Sequence, residues 1–181
     1  ISIKFRNGIS SSSMDKGDYR ISYETGECSF MAQAAISSAE HRLQPGVSMS
    51  YARDFEGEFS FTTDPRRVQQ ILINLLTNAC KHTAKGSITL ACSIRESAGR
   101  VTYSVTDTGP GVPVDQAEKI FERFTKLNDF VQGTGLGLSI CRDIASRMGG
   151  EVYLDTSYKE GGARFVFTLP INPPETNNIS Q

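Results

Sequence analysis

Residues 64–83 read DPRRVQQILINLLTNACKHT. Asp64 before Pro65 is a helix-start signal, a side-chain cap followed by a residue whose missing N–H costs nothing in the first turn. Val68, Ile71, Leu72, Leu75, Leu76 and Ala79 then recur at helical spacing. That pattern predicts an amphipathic helix running to about Thr83. At about 100° per residue, Asn74, Asn78 and Lys81 fall on one narrow stripe, with His82 between it and the apolar stripe. A solvated helix face shows such a stripe too. If it is half-buried, its amides and lysine need partners.

On both sides of this helix the period changes. Upstream, Phe30 to Leu43 suits a helix. Val47, Met49 and Tyr51 alternate, as do Phe59 and Phe61, and read as two strands around the Asp54–Gly57 turn region. Downstream, Ile88, Leu90, Cys92 and Ile94 alternate; a turn at Ser97-Ala98-Gly99 leads to Val101, Tyr103 and Val105. Asp115 and Glu118 are spaced to cap a short helix. Leu138 to Met148 reads as a helix closed by Gly149-Gly150. Val152 and Leu154, then Phe165, Phe167 and Leu169, give two strands around Gly161-Gly162. Hairpins mixed with helices predict a two-layer α/β (α+β) sandwich: a mixed, mostly antiparallel sheet packed against three helices on one face. The expected organisation is a linker or the end of a preceding domain over 1–20, the folded domain over 21–170 and a polar tail over 171–181.

The bulk numbers remove several classes of function. The 181 residues are 38% apolar and 22% charged with a formal net charge of −1, so a basic nucleic-acid footprint is absent. No apolar run approaches the roughly 18 residues of a membrane span. Ile1 in place of Met leads us to expect a piece of a longer polypeptide, with any membrane anchor elsewhere in it. Cys28, Cys80, Cys92 and Cys141 form no C-x-x-C pair, and the two histidines are His41 and His82. Zinc-ligand spacing is therefore missing, and the cysteines read as small reduced core residues of a cytoplasmic domain.

Two further stretches carry chemistry. In VTYSVTDTGPGVP, residues 101–113, period two continues the inward phase of Val101, Tyr103 and Val105 to Asp107. A carboxylate there is costly unless something hydrogen-bonds it. Glycines beside it let a flat ligand approach the backbone, though a tight turn at a strand end has the same composition. Residues 133–138, GTGLGL, open the next helix, and glycine-rich backbone at a helix N-terminus suits an anion. The spacing is neither G-x-G-x-x-G nor a P-loop.

Taken in order, these stretches resemble the boxes of sensor histidine kinases within the GHKL superfamily. Asn74 to Thr83 is similar to the N box and Asp107-Thr-Gly109-Pro-Gly111 to the G1 box. Phe121-Glu-Arg-Phe124-Thr-Lys126 resembles the F box, Gly133 to Leu138 the G2 box, and Gly161 to Phe165 the closing turn and strand. The resemblance covers roughly residues 20–170 and implies an ATP site. It assigns Asp107 to the adenine amino group, Asn78 to Mg²⁺, Lys81 to the phosphates and His82 to ribose and phosphate. Gly109, Gly111 and Val112 would line the adenine end, and Asn74 stands four residues before the Mg²⁺ asparagine. Phe121 and Phe124 would anchor a short lid over Leu127–Gln132. Lys126 holds the place of a basic residue that reaches the γ-phosphate, and is the sole candidate for a catalytic role. Gly133, Thr134, Gly135, Leu136, Gly137 and Leu138 would surround the phosphates.

Superfamily members that hydrolyse ATP carry a glutamate where this chain has Asn74, and an amide cannot serve as a general base. The resemblance therefore implies a protein-histidine kinase that donates the γ-phosphoryl group to a histidine of an upstream dimerisation and phosphotransfer domain, then to a response-regulator receiver domain. His41, in Ala39-Glu40-His41-Arg42-Leu43, stands in no acceptor-like context. Binding ATP without phosphorylating itself is the expectation for this chain, with no nucleic-acid or membrane contact. The alternatives are a nucleotide-gated ATPase of the same superfamily and a non-catalytic ATP-binding scaffold.

Overall fold

The computed structural model describes residues 20–123 and 136–175. The chain enters through β1 (Glu24–Glu27) and α1 (Cys28–Ala39), then β2 (Val47–Arg53) and β3 (Ser60–Thr63). It continues through α2 (Pro65–His82), β4 (Gly86–Arg95), β5 (Arg100–Asp107), α3 (Leu136–Arg147), β6 (Glu151–Leu154) and β7 (Ala163–Pro170). A five-stranded sheet has the order β2-β4-β5-β7-β6, and a two-stranded sheet joins β1 to β3. All pairs are antiparallel except β2 with β4. The three α-helices lie side by side over one face of the large sheet, α1 over β2 and β4, α2 over β4 and β5, α3 over β6 and β7. This is the expected two-layer sandwich.

Helix α2 is the centre of the helical layer because its apolar stripe is complete. Val68, Ile71, Leu72, Leu75, Leu76 and Ala79 are all buried. The Asp64 carboxylate caps it, accepting from Arg66 N at 3.1 Å and Arg67 N at 3.2 Å. The other Asp64 oxygen accepts from Ser22 N at 2.7 Å, which fastens the incoming chain to the start of the helix. Beneath α2 runs β5, the central strand, with Val101, Tyr103, Val105 and Asp107 all buried. Tyr103 Oη, in the middle of this core, donates to Cys28 O at 2.9 Å.

Two features of the strand pairing leave no pattern in the sequence, and one expectation needs correction. The strands flanking Asp54–Gly57 do not pair with each other: β2 lies parallel to β4, while β3 pairs with β1. Strand β1 leaves no trace in the sequence, because Glu24-Thr-Gly-Glu has no apolar alternation; its backbone pairs with β3, and the Glu27 side chain caps α1 by accepting from Ser29 N and Phe30 N. Asp115 and Glu118 cap no α-helix: the stretch forms two single 3₁₀ turns, Val114–Gln116 and Lys119–Phe121, without side-chain caps.

Candidate functional site

The register of the sheet brings the site together. Asp107 ends the central strand opposite Ile88 of β4 and Ala163 of β7. It is 3% exposed. Its Oδ1 accepts from Gly109 N at 2.9 Å and from Ala163 N at 3.3 Å. These are the donors that an inward carboxylate requires. Both fall on Oδ1, so Oδ2 is the oxygen that can still accept. Burial raises the Asp107 pKa above the usual carboxylate range, while the two backbone donors and nearby His82 pull the other way.

The glycines after Asp107 serve a purpose the sequence did not reveal. A Cβ on Gly109 would lie 2.5 Å from His82 O, so this glycine lets the turn pack directly on the last turn of α2. Gly162, at φ +85°, is tighter: its Cβ would fall 1.8 Å from Asp107 O. Close approach here is between backbone and backbone, and it clamps Asp107 between α2 and β7.

Helix α2 delivers the polar stripe to the same place. Its last turn carries Lys81, exposed, and His82, half-buried. Burial lowers the His82 pKa, opposed by the Asp107 charge and reinforced by Lys81, so the imidazole is neutral near pH 7. Gln44 Nε2 donates to Cys80 O at 3.2 Å and Lys81 O at 3.4 Å, satisfying carbonyls at the end of the helix. Asn78 is half-buried and makes no side-chain hydrogen bond among the described residues. One turn earlier, Asn74 Nδ2 lies 3.4 Å from Cys141 Sγ of α3. Cys141 is fully buried, and burial pushes its thiol up to about 12. Asn74 therefore packs between the helices, and its Cγ is 4.0 Å from where a Gly137 Cβ would stand.

One orphan lies beside the site. Thr83 Oγ1, buried at the end of α2, has no hydrogen-bond partner among the described residues. The described residues contain no group of three or more His, Cys, Asp and Glu able to hold a metal. Any divalent cation here would rest on few protein ligands, an amide oxygen such as that of Asn78 among them, and take the others from a ligand's phosphates and water.

Asp107 and Gly109 stand against the last turn of α2, which carries Lys81 and His82, and Asn78 and Asn74 lie one and two turns earlier on that helix. Gly111 and Val112 follow in the same turn, where a Cβ on Gly111 would lie 2.8 Å from Gly162 O. Phe121 is buried, edge-on to Phe165 with ring centroids 6.2 Å apart. Gly137 and Leu138 lie in the first turn of α3, half-buried, as does the backbone of Leu136. Phe124, Lys126, Gly133, Thr134 and Gly135, with the expected lid, lie outside the described residues. Ala163, Cys141 and Gln44 are the contributors the sequence reading missed. Ala163 acts through its backbone N–H, Gln44 and Cys141 through side-chain atoms whose partners lie far along the chain, and a single sequence carries no signal for such pairings.

A buried carboxylate at the end of a central strand, facing the last turn of an Asn-bearing helix, defines a class. Residues 63–173 match the model of the histidine kinase-, DNA gyrase B- and HSP90-like ATPases, and the chain belongs to that family. The histidine-kinase branch is the one its relatives occupy. The adaptive-response sensory kinase SasA of Trichormus variabilis is 41% identical over 112 residues, 61% of this chain and 28% of that protein. The catalytic domain of histidine kinase ThkA superposes with a TM-score of 0.74 at 30% identity, over 84% of this chain and 97% of that one. Full-length ShkA in complex with AMPPNP gives a TM-score of 0.76 at 29% identity, over 90% of this chain and 34% of that one. The chain is thus an ATP-binding domain of the histidine-kinase type. It spans under a third of the SasA protein it matches. Among the described residues, no helix is long and apolar enough to cross a membrane.

Proposed function

We propose that this chain binds ATP with Mg²⁺ and presents the γ-phosphoryl group to a histidine on an upstream helical domain, the first step of two-component signalling. The observation that carries the reading is Asp107, a buried carboxylate with both backbone donors on one oxygen. The other oxygen is set to accept the adenine amino group. His82 and Lys81, in the last turn of α2 against which Gly109 packs, would lie along ribose and phosphates. The Asn78 amide oxygen, without a partner among the described residues, suits a hard cation that arrives with the nucleotide. Mg²⁺, when bound, would neutralise phosphate charge, and Lys81 would add to this. Lys126 and Gly133–Leu138 complete the phosphate end in this proposal, with Phe121 and Phe124 anchoring the intervening lid.

Phosphoryl transfer asks mainly for positioning and charge neutralisation, which explains an acid–base-poor site. Asn74 is committed to α3, and its amide cannot activate water, which favours donation over hydrolysis. In this reading residues 1–20 lead from the dimerisation and phosphoacceptor domain, residues 21–170 are the catalytic domain, and 171–181 a tail. The partners are that upstream domain and a response-regulator receiver domain; a solved complex joins ThkA to the response regulator TrrA. The location is cytoplasmic.

The test is calorimetry with Mg-ATP on this chain, followed by incubation with the helical domain of the parent protein. ATP binding and an acid-labile phosphate on that domain are expected. Absence of phosphotransfer despite binding would reduce the chain to an ATP-binding scaffold.

A further inference from the structure

The Arg142 guanidinium, in the second turn of α3, touches three separate parts of the chain. Nη1 pairs with Glu118 Oε2 at 2.8 Å, and Nε donates to Val152 O, at the start of β6, at 3.3 Å. The guanidinium lies over the Phe121 ring with Cζ 3.8 Å from the centroid. Phe121 is braced in turn by Phe165, which pairs in register with Val105, two residues before Asp107. A second tie, Arg123 Nη2 to Asp143 Oδ2 at 3.7 Å, runs alongside. The stretch ending at Arg123 and the helix resuming at Leu136 are therefore fastened to each other across the segment between them. Next to Arg142 in α3 is Cys141, the partner of Asn74.

The three contacts are not equal. Glu118 is 81% exposed, so its ion pair adds little in water. The stack on buried Phe121 and the bond to the Val152 carbonyl are the contacts that fix orientation. Both need the planar guanidinium; a lysine ammonium reproduces charge but not that geometry. At the other end of the site, Asp107 is held by strand pairing and by Gly109 and Ala163 N–H groups, with no contribution from Arg142.

We infer that Arg142 is a positioning residue for the phosphate end of the site. By clamping Phe121 to α3 it sets where the first turn of α3 stands against Asn74 and the polar stripe of α2. It leaves the adenine end, held by the sheet, unaffected. The inference rests on the ATP-binding reading above.

The experiment measures dissociation constants for adenosine, ADP and Mg-ATP on this chain, as wild type, Arg142→Ala and Arg142→Lys, with circular dichroism and thermal melts alongside. Arg142→Ala should weaken ADP and Mg-ATP about tenfold without a comparable loss for adenosine. Arg142→Lys should fall between. If Arg142→Ala does not fold, Phe121→Leu should give the same split between nucleotides and adenosine. Equal losses for all three ligands, or none for any, would overturn the positioning role while the nucleotide reading stands. Lysine matching wild type would overturn the part given to the stacked guanidinium. A wild-type chain that binds none of the three would overturn the nucleotide reading and this inference with it.

Discussion

Asp107→Asn separates function from stability by sign. In the wild type, Oδ1 holds Gly109 N at 2.9 Å and Ala163 N at 3.3 Å. Asparagine has one oxygen, and those two donors claim it. Its NH₂ group then takes the place of Oδ2 and turns a donor toward the donor of the adenine amino group. The lost hydrogen bond is to a charged, buried acceptor, about 1.5–3 kcal/mol, or roughly ten- to hundredfold in affinity. Stability should move the other way. The folded-state pKa of Asp107 is raised, mainly by burial. A raised pKa favours folding below the unfolded value, and that contribution is lost as pH rises through the folded one. At pH 7 the buried charge is thus a burden, and Asn removes it while keeping both backbone bonds. Calorimetry should show weak or no ATP binding, and a thermal melt at pH 7 should show a Tm equal to or above wild type. Undiminished ATP binding would refute the assignment of Asp107. A Tm well below wild type would refute the account of its burial.

Four other outcomes follow from the same geometry. Asn78→Ala should weaken ATP binding in Mg²⁺ and lose its effect in a chelator; an equal loss in both would remove the cation from the amide. The wild-type chain should show no sustained ATP hydrolysis, since Asn74 replaces the water-activating carboxylate, and multiple turnovers in a phosphate-release assay would contradict that. Thr83→Val should stabilise the chain by about 1 kcal/mol, because it swaps an unpartnered buried hydroxyl for a methyl of the same shape; destabilisation in urea melts would mean the hydroxyl has a partner. The depressed pKa of His82 makes its contribution present above the unfolded value of about 6.5 and lost as pH falls toward the folded one. His82→Gln should flatten the pH dependence of stability below about 6.5, and an unchanged profile would show that His82 does not carry it.

Periodicity found what side chains alone enforce. The apolar stripe of α2 and the inward phase of β5 rest on burying one face, and burial leaves a spacing in the chain, while the end of α3 is marked by Gly149-Gly150. The period-two phase carried Asp107 into the core, and the spacing of Asn74, Asn78 and Lys81 put them on one stripe, before any fold was known. Pairing partners left no such trace. That β2 lies parallel to β4, or that Glu24–Glu27 is a strand at all, depends on backbone bonds to residues far along the chain, which any side chain permits. The same holds within the site. Motif positions nominated Asp107, but the donors that hold it are the N–H groups of Gly109 and of Ala163, 56 residues away. The sequence suggests ligand approach for Gly109 and a strand turn for Gly162, and both admit backbone, that of α2 and that of β5. Composition and spacing thus fix which residues face inward; the folded chain alone brings distant backbone against a buried charge, because that satisfaction is a matter of contact and not of pattern.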